Sequence, residues 1–439
     1  MAEKTAPKLS AEPPRGMRDI LPDEAEMRDA TAAAILDVYR QYGFRRVETP
    51  ALEHIQLLTH GEGGENEKLI YKILKRGAKL DLASARSEMD LVDLGLRFDL
   101  TVPLVRYYAN NHADLPRPLK AVQIGPVWRA ERQQKGRYRQ FTQCDIDILG
   151  MQSGVAEVEL ILATTDALTA LGLRRLTVRI NDRRLLAAMA HHCGFEQSRF
   201  DSVFIALDKL DKIDWSGVEK ELMQAGHPPA AIGQLGRLIA RFGPQGAAPG
   251  DLGVMGKDLG AHQDEEARQA LEMIIQTLRG EATGSWVITF DPTLVRGMSY
   301  YTGPIFEIKS DDFPASIAGG GRYDKLIGKL LGKDVPATGF SIGFERVVSL
   351  LMDRQGLRGR RQKRVALIFE ERKDDLATVL AAARALRTDG FAVSVELRAK
   401  NLGGQLDTLS RHGFDGFALF DGTGQSRLRW FADQEHRDE

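Results

Sequence analysis

Cysteine is nearly missing: Cys144 and Cys193 are the only two in 439 residues. Two isolated thiols build no disulfide framework and have no metal-ligand spacing. No apolar run approaches the ~18 residues that a membrane-spanning helix requires. Charge of one sign is lacking too, since 60 Lys and Arg face 61 Asp and Glu. No global basic field advertises nucleic acid, although a local stripe fits within a neutral chain. The sequence has no phosphate loop of the GxxxxGK[ST] type, no dinucleotide GxGxxG and no HExxH pair, which argues against those three classes. Residues 1–14 hold three prolines and no apolar h-region. They read as a disordered tail rather than a signal peptide, and the expected compartment is the cytosol. What remains is 43% apolar and 28% charged, an ordinary globular composition able to bury a sizeable core.

Pro22, Asp23 and Glu24 open a helix with acids where the N-terminal dipole favours them. Met27, Ala30, Ala34 and Val38 recur at helical spacing, and Gly43 stops the run. A short strand over 44–49 ends at Pro50, and residues 96–109 read as strand into helix. Residues 121–131 read as a strand, 132–138 as a basic turn and 139–150 as the return strand. In that return strand Cys144, Ile146 and Ile148 share one face, while Phe141, Gln143, Asp145 and Asp147 share the other. A polar strand face suits solvent or a binding site, and periodicity alone does not choose. From about 181 to 280 the chain is helix-rich, and strand signals return at 285–290 and 300–309. The glycine run 319–321 reads, by itself, as a turn rather than a ligand cradle. Past a basic linker over 358–364, a βαβαβ pattern predicts a small α/β domain.

Arg129 follows a strand, with Glu131 on the same face. Arg296 stands beside Gly297, and Arg346 ends a glycine-punctuated strand-to-helix segment. A guanidinium binds phosphate with two donors and cannot be neutralised, which suits nucleotide chemistry. Any one of these arginines taken alone equally fits a surface ion pair.

Five segments in order resemble the class II aminoacyl-tRNA synthetases. GFRRVETPALE (43–53) resembles motif 1, GPVWRAERQQKGRYRQFTQCDIDILG (125–150) motif 2 and ATGFSIGFERVVSL (337–350) motif 3. LVRGMSYYTGPIFE (294–307) and AGGGRYDKLIG (318–328) resemble segments particular to the histidine-specific branch, the histidyl-tRNA synthetases. The resemblance covers about 15–348 and continues more weakly beyond.

It implies an α+β fold: an antiparallel sheet flanked by helices in a catalytic domain over 15–355, with a helical insertion at about 183–280. An anticodon-binding α/β domain would follow over 364–439. It implies Mg-ATP, L-histidine and tRNA(His) as substrates, and a homodimer through motif 1. By the same resemblance Arg129 grips the α-phosphate, Glu131 reads the adenine amino group, Phe141 stacks on adenine and Arg346 holds the γ-phosphate. Arg296 sets a fixed cation where charge develops as the histidine carboxylate attacks. Asp99 and Thr101 bind the α-amino group. Gln143, Asp147, Tyr300, Tyr301 and Tyr323 surround amino group and imidazole. Arg132, Lys135, Arg137 and Arg139 would meet the tRNA acceptor stem; without the family they equally fit a solvated hairpin tip. The chain departs from the family at Ser299, where Asp is usual, and at Asp99 and Asp147, where Glu is usual. Other readings are the synthetase-like regulatory subunit of ATP phosphoribosyltransferase, a synthetase for threonine, proline or glycine, and a silent synthetase-like sensor.

Overall fold

Helix α1, Pro22–Gln41, begins with proline and two acids in its first turn, keeps Arg40 in its last, and ends before Gly43 at φ 81°. The structure, a computed structural model, describes residues 10–59, 69–131, 138–243, 250–282, 284–296, 300–354, 362–422 and 427–431. The first nine residues of the expected tail and most of the basic linker lie outside the described residues. The chain divides into two compact units, Met1–Gly356 and Leu357–Glu439.

In the first unit β1 (Arg45–Arg46) and β2 (Leu52–His54) precede α2 (Ile55–Thr59), and β3 (Lys72–Leu74) and β4 (Val92–Leu96) precede α3 (Thr101–Asn111). The hairpin β5 (Leu119–Trp128) and β6 (Gln140–Leu149) leads to α4 (Val155–Ala170) and β7 (Leu176–Asp182). Six helices follow: α5 (Arg183–Cys193), α6 (Phe200–Leu207), α7 (Leu210–Gln224), α8 (Pro229–Phe242), α9 (Leu252–Leu259) and α10 (Glu265–Glu281). Asp182 caps α5 and Asp264 caps α10 through backbone N–H groups. The unit closes with β8 (Trp286–Phe290), β9 (Pro304–Ser310), β10 (Phe313–Arg322), α11 (Gly328–Leu331), β11 (Ala337–Ile342) and α12 (Phe344–Asp353).

The main sheet has the order β1-β5-β6-β11-β10-β9-β7-β8. Its six central strands are antiparallel, while β1 on β5 and β8 on β7 are parallel edge pairings. The purely antiparallel expectation is thus refined to a mixed sheet in an α+β fold. The parallel β7–β8 pair needs a long crossover, and the six helices provide it. Behind the sheet α4 is buried on nearly every side, and its Glu157 pairs with Arg322 at 2.7 Å.

Three local expectations change. The strand expected over 44–49 shrinks to two residues, because the Thr49 and Pro50 carbonyls turn to accept from buried Arg97. The strand expected from Tyr300 starts at Pro304, since Tyr300 and Tyr301 turn into a cavity. The glycine run is no turn. Gly319, Gly320 and Gly321 lie inside β10, paired in register with Ser341, Phe340 and Gly339.

The second unit has β12 (Arg364–Phe369), α13 (Leu376–Thr388), β13 (Ala392–Leu397), α14 (Leu402–Arg411), β14 (Gly416–Leu419) and β15 (Leu428–Trp430), in sheet order β13-β12-β14-β15. Alternation on β12 sends Leu367 and Phe369 to α13, and Ala366 and Ile368 to α14. The antiparallel edge strand β15 has no counterpart in the βαβαβ pattern.

Two glycines make a matched test. A Cβ on Gly320 would strike the Gly339 carbonyl oxygen, whereas one on Gly280, in the last turn of α10, meets nothing within 4 Å. Gly320→Ala should destabilise the unit by roughly 1–3 kcal/mol or more, the usual range for overpacking. Gly280→Ala should stabilise it by up to about 1 kcal/mol. Calorimetric melting of both variants checks the opposite signs.

Candidate active site

Strand β6 is the floor of a cavity of about 620 Å³. Its alternation buries Cys144, Ile146 and Ile148 completely in the core and turns Phe141, Gln143, Asp145 and Asp147 to the cavity. Asp145 and Asp147 are nonetheless only 4% and 2% exposed. Room for them comes from the neighbouring strands. Gly339 of β11 stands in register with Asp147, and a Cβ there would run into its carboxylate. Gly319 of β10 is bare where the Arg296 guanidinium lies, and Gly321 where the Tyr301 ring lies. The glycine strand is therefore a flat bed under side chains from elsewhere.

Three arginines reach the cavity from distant parts of the chain. Arg129, just past β5, donates its Nε to the Phe98 carbonyl at 2.9 Å and stands 5.2 Å over the Phe141 ring. Arg296 lies 3.5 Å from Glu307. Arg346, in the first turn of α12, donates to the Ser316 carbonyl. Its neighbour Glu345 accepts from both Arg28 nitrogens, at 2.6 and 2.8 Å, and from the Thr142 N–H at 2.9 Å, tying α1 to β6 and α12.

The carboxylate side is different. Tyr323 donates its hydroxyl to Asp147 Oδ1 at 2.5 Å. Gln143 Oε1, Asp145 Oδ1 and Asp147 Oδ2 are buried and have no hydrogen-bond partner among the described residues. Three unmet acceptors on alternate residues of one strand ask for a donor-rich guest. Burial pushes the Asp147 carboxyl up to about 7, despite the Tyr323 hydrogen bond that opposes the rise. Burial, reinforced by Asp147, holds Asp145 well above the usual carboxylate range. Asp99 lies at the same cavity and accepts from the Val102 N–H at 3.0 Å, next to Thr101 at the start of α3. The Tyr300 ring packs edge-on against Tyr301 and Tyr323, with centroids 5.0 and 6.0 Å apart. Burial raises Tyr301 to about 12, so it remains a donor.

The residues singled out from sequence thus come together. Asp99, Thr101, Arg129, Glu131, Phe141, Gln143, Asp147, Arg296, Tyr300, Tyr301, Tyr323 and Arg346 all line this cavity. Arg132, Lys135, Arg137 and Ser299 lie outside the described residues. Arg139 stands off the cavity, donating to the Glu131 and Arg15 carbonyls at 3.2 Å each. The sequence reading put Asp145 on the right face without making it a site residue, although the alternation that exposes Asp147 exposes it too. It missed Glu345, which adjoins Arg346. It also missed Arg179, Glu307 and a wall from the helical insertion that includes Asp208, Asp211 and Lys212. No local pattern marks these, for their partners are far away in the chain.

A family model described as histidyl-tRNA synthetase matches residues 16–347. A histidine–tRNA ligase from Leifsonia xyli subsp. xyli is 46% identical over 418 residues, covering 93% of this chain and 95% of that protein. One from Aeropyrum pernix is 38% identical over 392 residues, covering 88% and 84%. Among solved structures, a histidyl-tRNA synthetase from Nostoc sp. PCC 7120 superposes with a TM-score of 0.76 at 24% identity, over 98% of this chain and 100% of that one. A Bacillus halodurans protein described as ATP phosphoribosyltransferase regulatory subunit/histidyl-tRNA synthetase gives 0.72 at 22%, over 91% and 97%. At such identities the two structures speak for the fold alone.

Asp147→Asn removes the titrating charge and keeps the shape. In the ligand-free protein the folded-state affinity of Asp147 for its proton exceeds the unfolded one, with a carboxyl raised to about 7. That contribution to stability is complete below the ordinary carboxylate range and is lost as pH rises through about 7. The asparagine variant should therefore gain on the wild type as pH rises, by more than ~1 kcal/mol between the ordinary carboxylate range and about pH 8, since tenfold in proton affinity is worth ~1.4. Urea melts across the pH range check this; a gap independent of pH would remove Asp147 from the titration.

Proposed function

The chain belongs to the histidyl-tRNA synthetase family, and from that membership we propose that it is a histidine–tRNA ligase working in two steps at this cavity. The observation that carries the reading is the row of unmet acceptors on β6 opening onto the same space as Arg129, Arg296 and Arg346. A free amino acid with a side-chain N–H brings the donors, and a triphosphate brings the charge that three permanent cations attract.

In the first step a histidine carboxylate oxygen attacks the α-phosphorus of ATP. The bond to the bridging oxygen breaks, and pyrophosphate leaves. Arg129 and Arg296 face the charge that grows on the α-phosphate, where preorganised donors act most strongly. Arg346 takes the γ-phosphate, Phe141 stacks on adenine and Glu131 accepts from the adenine amino group. Mg2+ would come with ATP and neutralise phosphate charge, and among the described residues no cluster of three or more His, Cys, Asp or Glu would hold it apart from the nucleotide. Asp99 and Thr101 take the α-amino group. Gln143, Asp147 and the three tyrosines take the imidazole side. In the second step a terminal ribose hydroxyl of tRNA(His) attacks the histidyl carbonyl carbon, and AMP leaves.

Arg132, Lys135, Arg137 and Arg139, between β5 and β6, would face the acceptor stem. Arg139 would do so beside the two carbonyls to which its Nε and Nη1 already donate. The second unit would read the anticodon. Exposed Leu52, Leu74, Leu82 and Met89, on or near the small sheet β2-β4-β3, supply apolar surface for a homodimer contact. No helix among the described residues is long and apolar enough to cross a membrane, and the proposed place of work is the cytoplasm. Three arginines converging on the cavity that also holds the acceptor row suit nucleotide chemistry, which favours the ligase over a non-catalytic regulatory subunit.

ATP–pyrophosphate exchange with a panel of amino acids tests the reading: exchange should depend on histidine alone. Exchange driven by threonine, proline or glycine, or by none, would overturn it. Arg296→Ala should slow the histidine-dependent reaction by ~10²–10³, the usual loss for one preorganised charge-stabilising group.

Removing residues 364–439 should leave histidine-dependent exchange measurable while tRNA charging falls steeply. Full charging by a dimeric truncated protein would refute the anticodon role.

A further inference from the structure

The long Arg296 side chain lies over bare Gly319, and Glu307 is the carboxylate within ion-pair distance of it among the described residues. Glu307 is divided between two arginines. Its Oε1 accepts from Arg179 Nη1 at 2.6 Å, and its Oε2 stands 3.5 Å from Arg296 Nη1. Arg179 is 6% exposed and donates its Nε to Asp291 at 2.5 Å. The same Nη1 that serves Glu307 also donates to Asp211 Oδ2 at 2.9 Å, and Lys309 donates to that oxygen at 2.6 Å.

Asp211 belongs to the helical insertion, whereas the other members sit on or beside the sheet. Helix α7 is broken at Asp214, where φ is 54° and ψ −177°, a strained conformation for a residue with a side chain. Asp214 then caps the helix that restarts, accepting from Ser216 Oγ at 2.8 Å and the Gly217 N–H at 3.1 Å. Asp208, Asp211 and Lys212, just before this break in the chain, lie at the cavity wall. Asp208 responds to Arg296 as well: burial raises its carboxyl and the Arg296 charge opposes the rise.

We propose that Asp211 is a positioning residue for the activation step: seated on Arg179, it shares that guanidinium with Glu307 and so leaves Glu307 to hold Arg296 at the α-phosphate. The helical insertion must then be docked for activation to run fast. Without Asp211, Arg179 Nη1 belongs to Glu307 alone, Glu307 is drawn toward Arg179, and Arg296 loses its guide. The inference rests on the reading of Arg296 as the α-phosphate cation. The alternative role for Asp211 is a plain ion pair. Its side chain is 53% exposed, and pairs of that kind add little to stability or to rate.

Histidine-dependent exchange by the full chain separates these, using Asp211→Asn, Asp211→Glu, Glu307→Gln, Arg296→Ala and the Asp211→Asn/Arg296→Ala double variant. Asp211→Asn should lower kcat by about tenfold, within what misplacing a catalytic group costs, with both KM values within about twofold of wild type. Asp211→Glu should recover part of the loss. Glu307→Gln should lower kcat at least as much, and it supplies the measurement if Asp211→Asn fails to fold. In the Arg296→Ala background Asp211→Asn should cost less than about twofold, because the group it positions is gone. Wild-type kcat in folded Asp211→Asn or in Glu307→Gln, or an undiminished tenfold loss in the double variant, overturns the positioning role. Wild-type exchange by Arg296→Ala alone overturns the reading beneath it instead.

Discussion

Two carboxylates buried two residues apart on one strand set the terms for everything around them. Asp145 and Asp147 share the cavity face of β6 and are 4% and 2% exposed. Taking a carboxylate out of water without full pairing costs several kcal/mol, so the surroundings must make room and offer donors. Room comes from glycine at 339, where any side chain would meet the Asp147 carboxylate. One donor comes from Tyr323, at 2.5 Å from Asp147. The Arg129 charge eases Asp145. What the protein leaves unmet, a ligand must supply, and burial lifts the Asp147 carboxyl to about 7.

Legibility in the sequence followed the range of each interaction. The β6 faces could be read because a strand has period two and its polar and apolar residues alternate without a break. Helix α1 could be read because proline, acids and Gly43 mark its ends. The arginines were visible as candidates, but only the family resemblance joined 129, 296 and 346 into one site; no periodicity links residues so far apart. Glycine defeated the reading at 319–321. A residue without a side chain has no facing pattern, and the same three letters suit a turn or a strand over which other side chains lie. Arg179 was illegible for another reason. Its partners Asp291 and Glu307 are 112 and 128 residues away in sequence, and on its own it reads as one charged residue in a strand.

The cavity has two chemically distinct halves. Arg129, Arg296 and Arg346 bring guanidinium cations to one half, which suits a partner such as triphosphate that is always anionic. Asp145 and Asp147 have charges that depend on what stands before them, because burial lifts both and a bound cation would lower them again. Selection on that side therefore works by penalty. A guest lacking an N–H in the right place leaves Gln143, Asp145 or Asp147 with a buried acceptor unmet, and sites built around buried polar groups reject such guests far more strongly than an apolar pocket rejects a missing methyl. On the proposed reading, fixed cations hold ATP whichever amino acid is present, and the β6 carboxylates decide which amino acid can stay long enough to react.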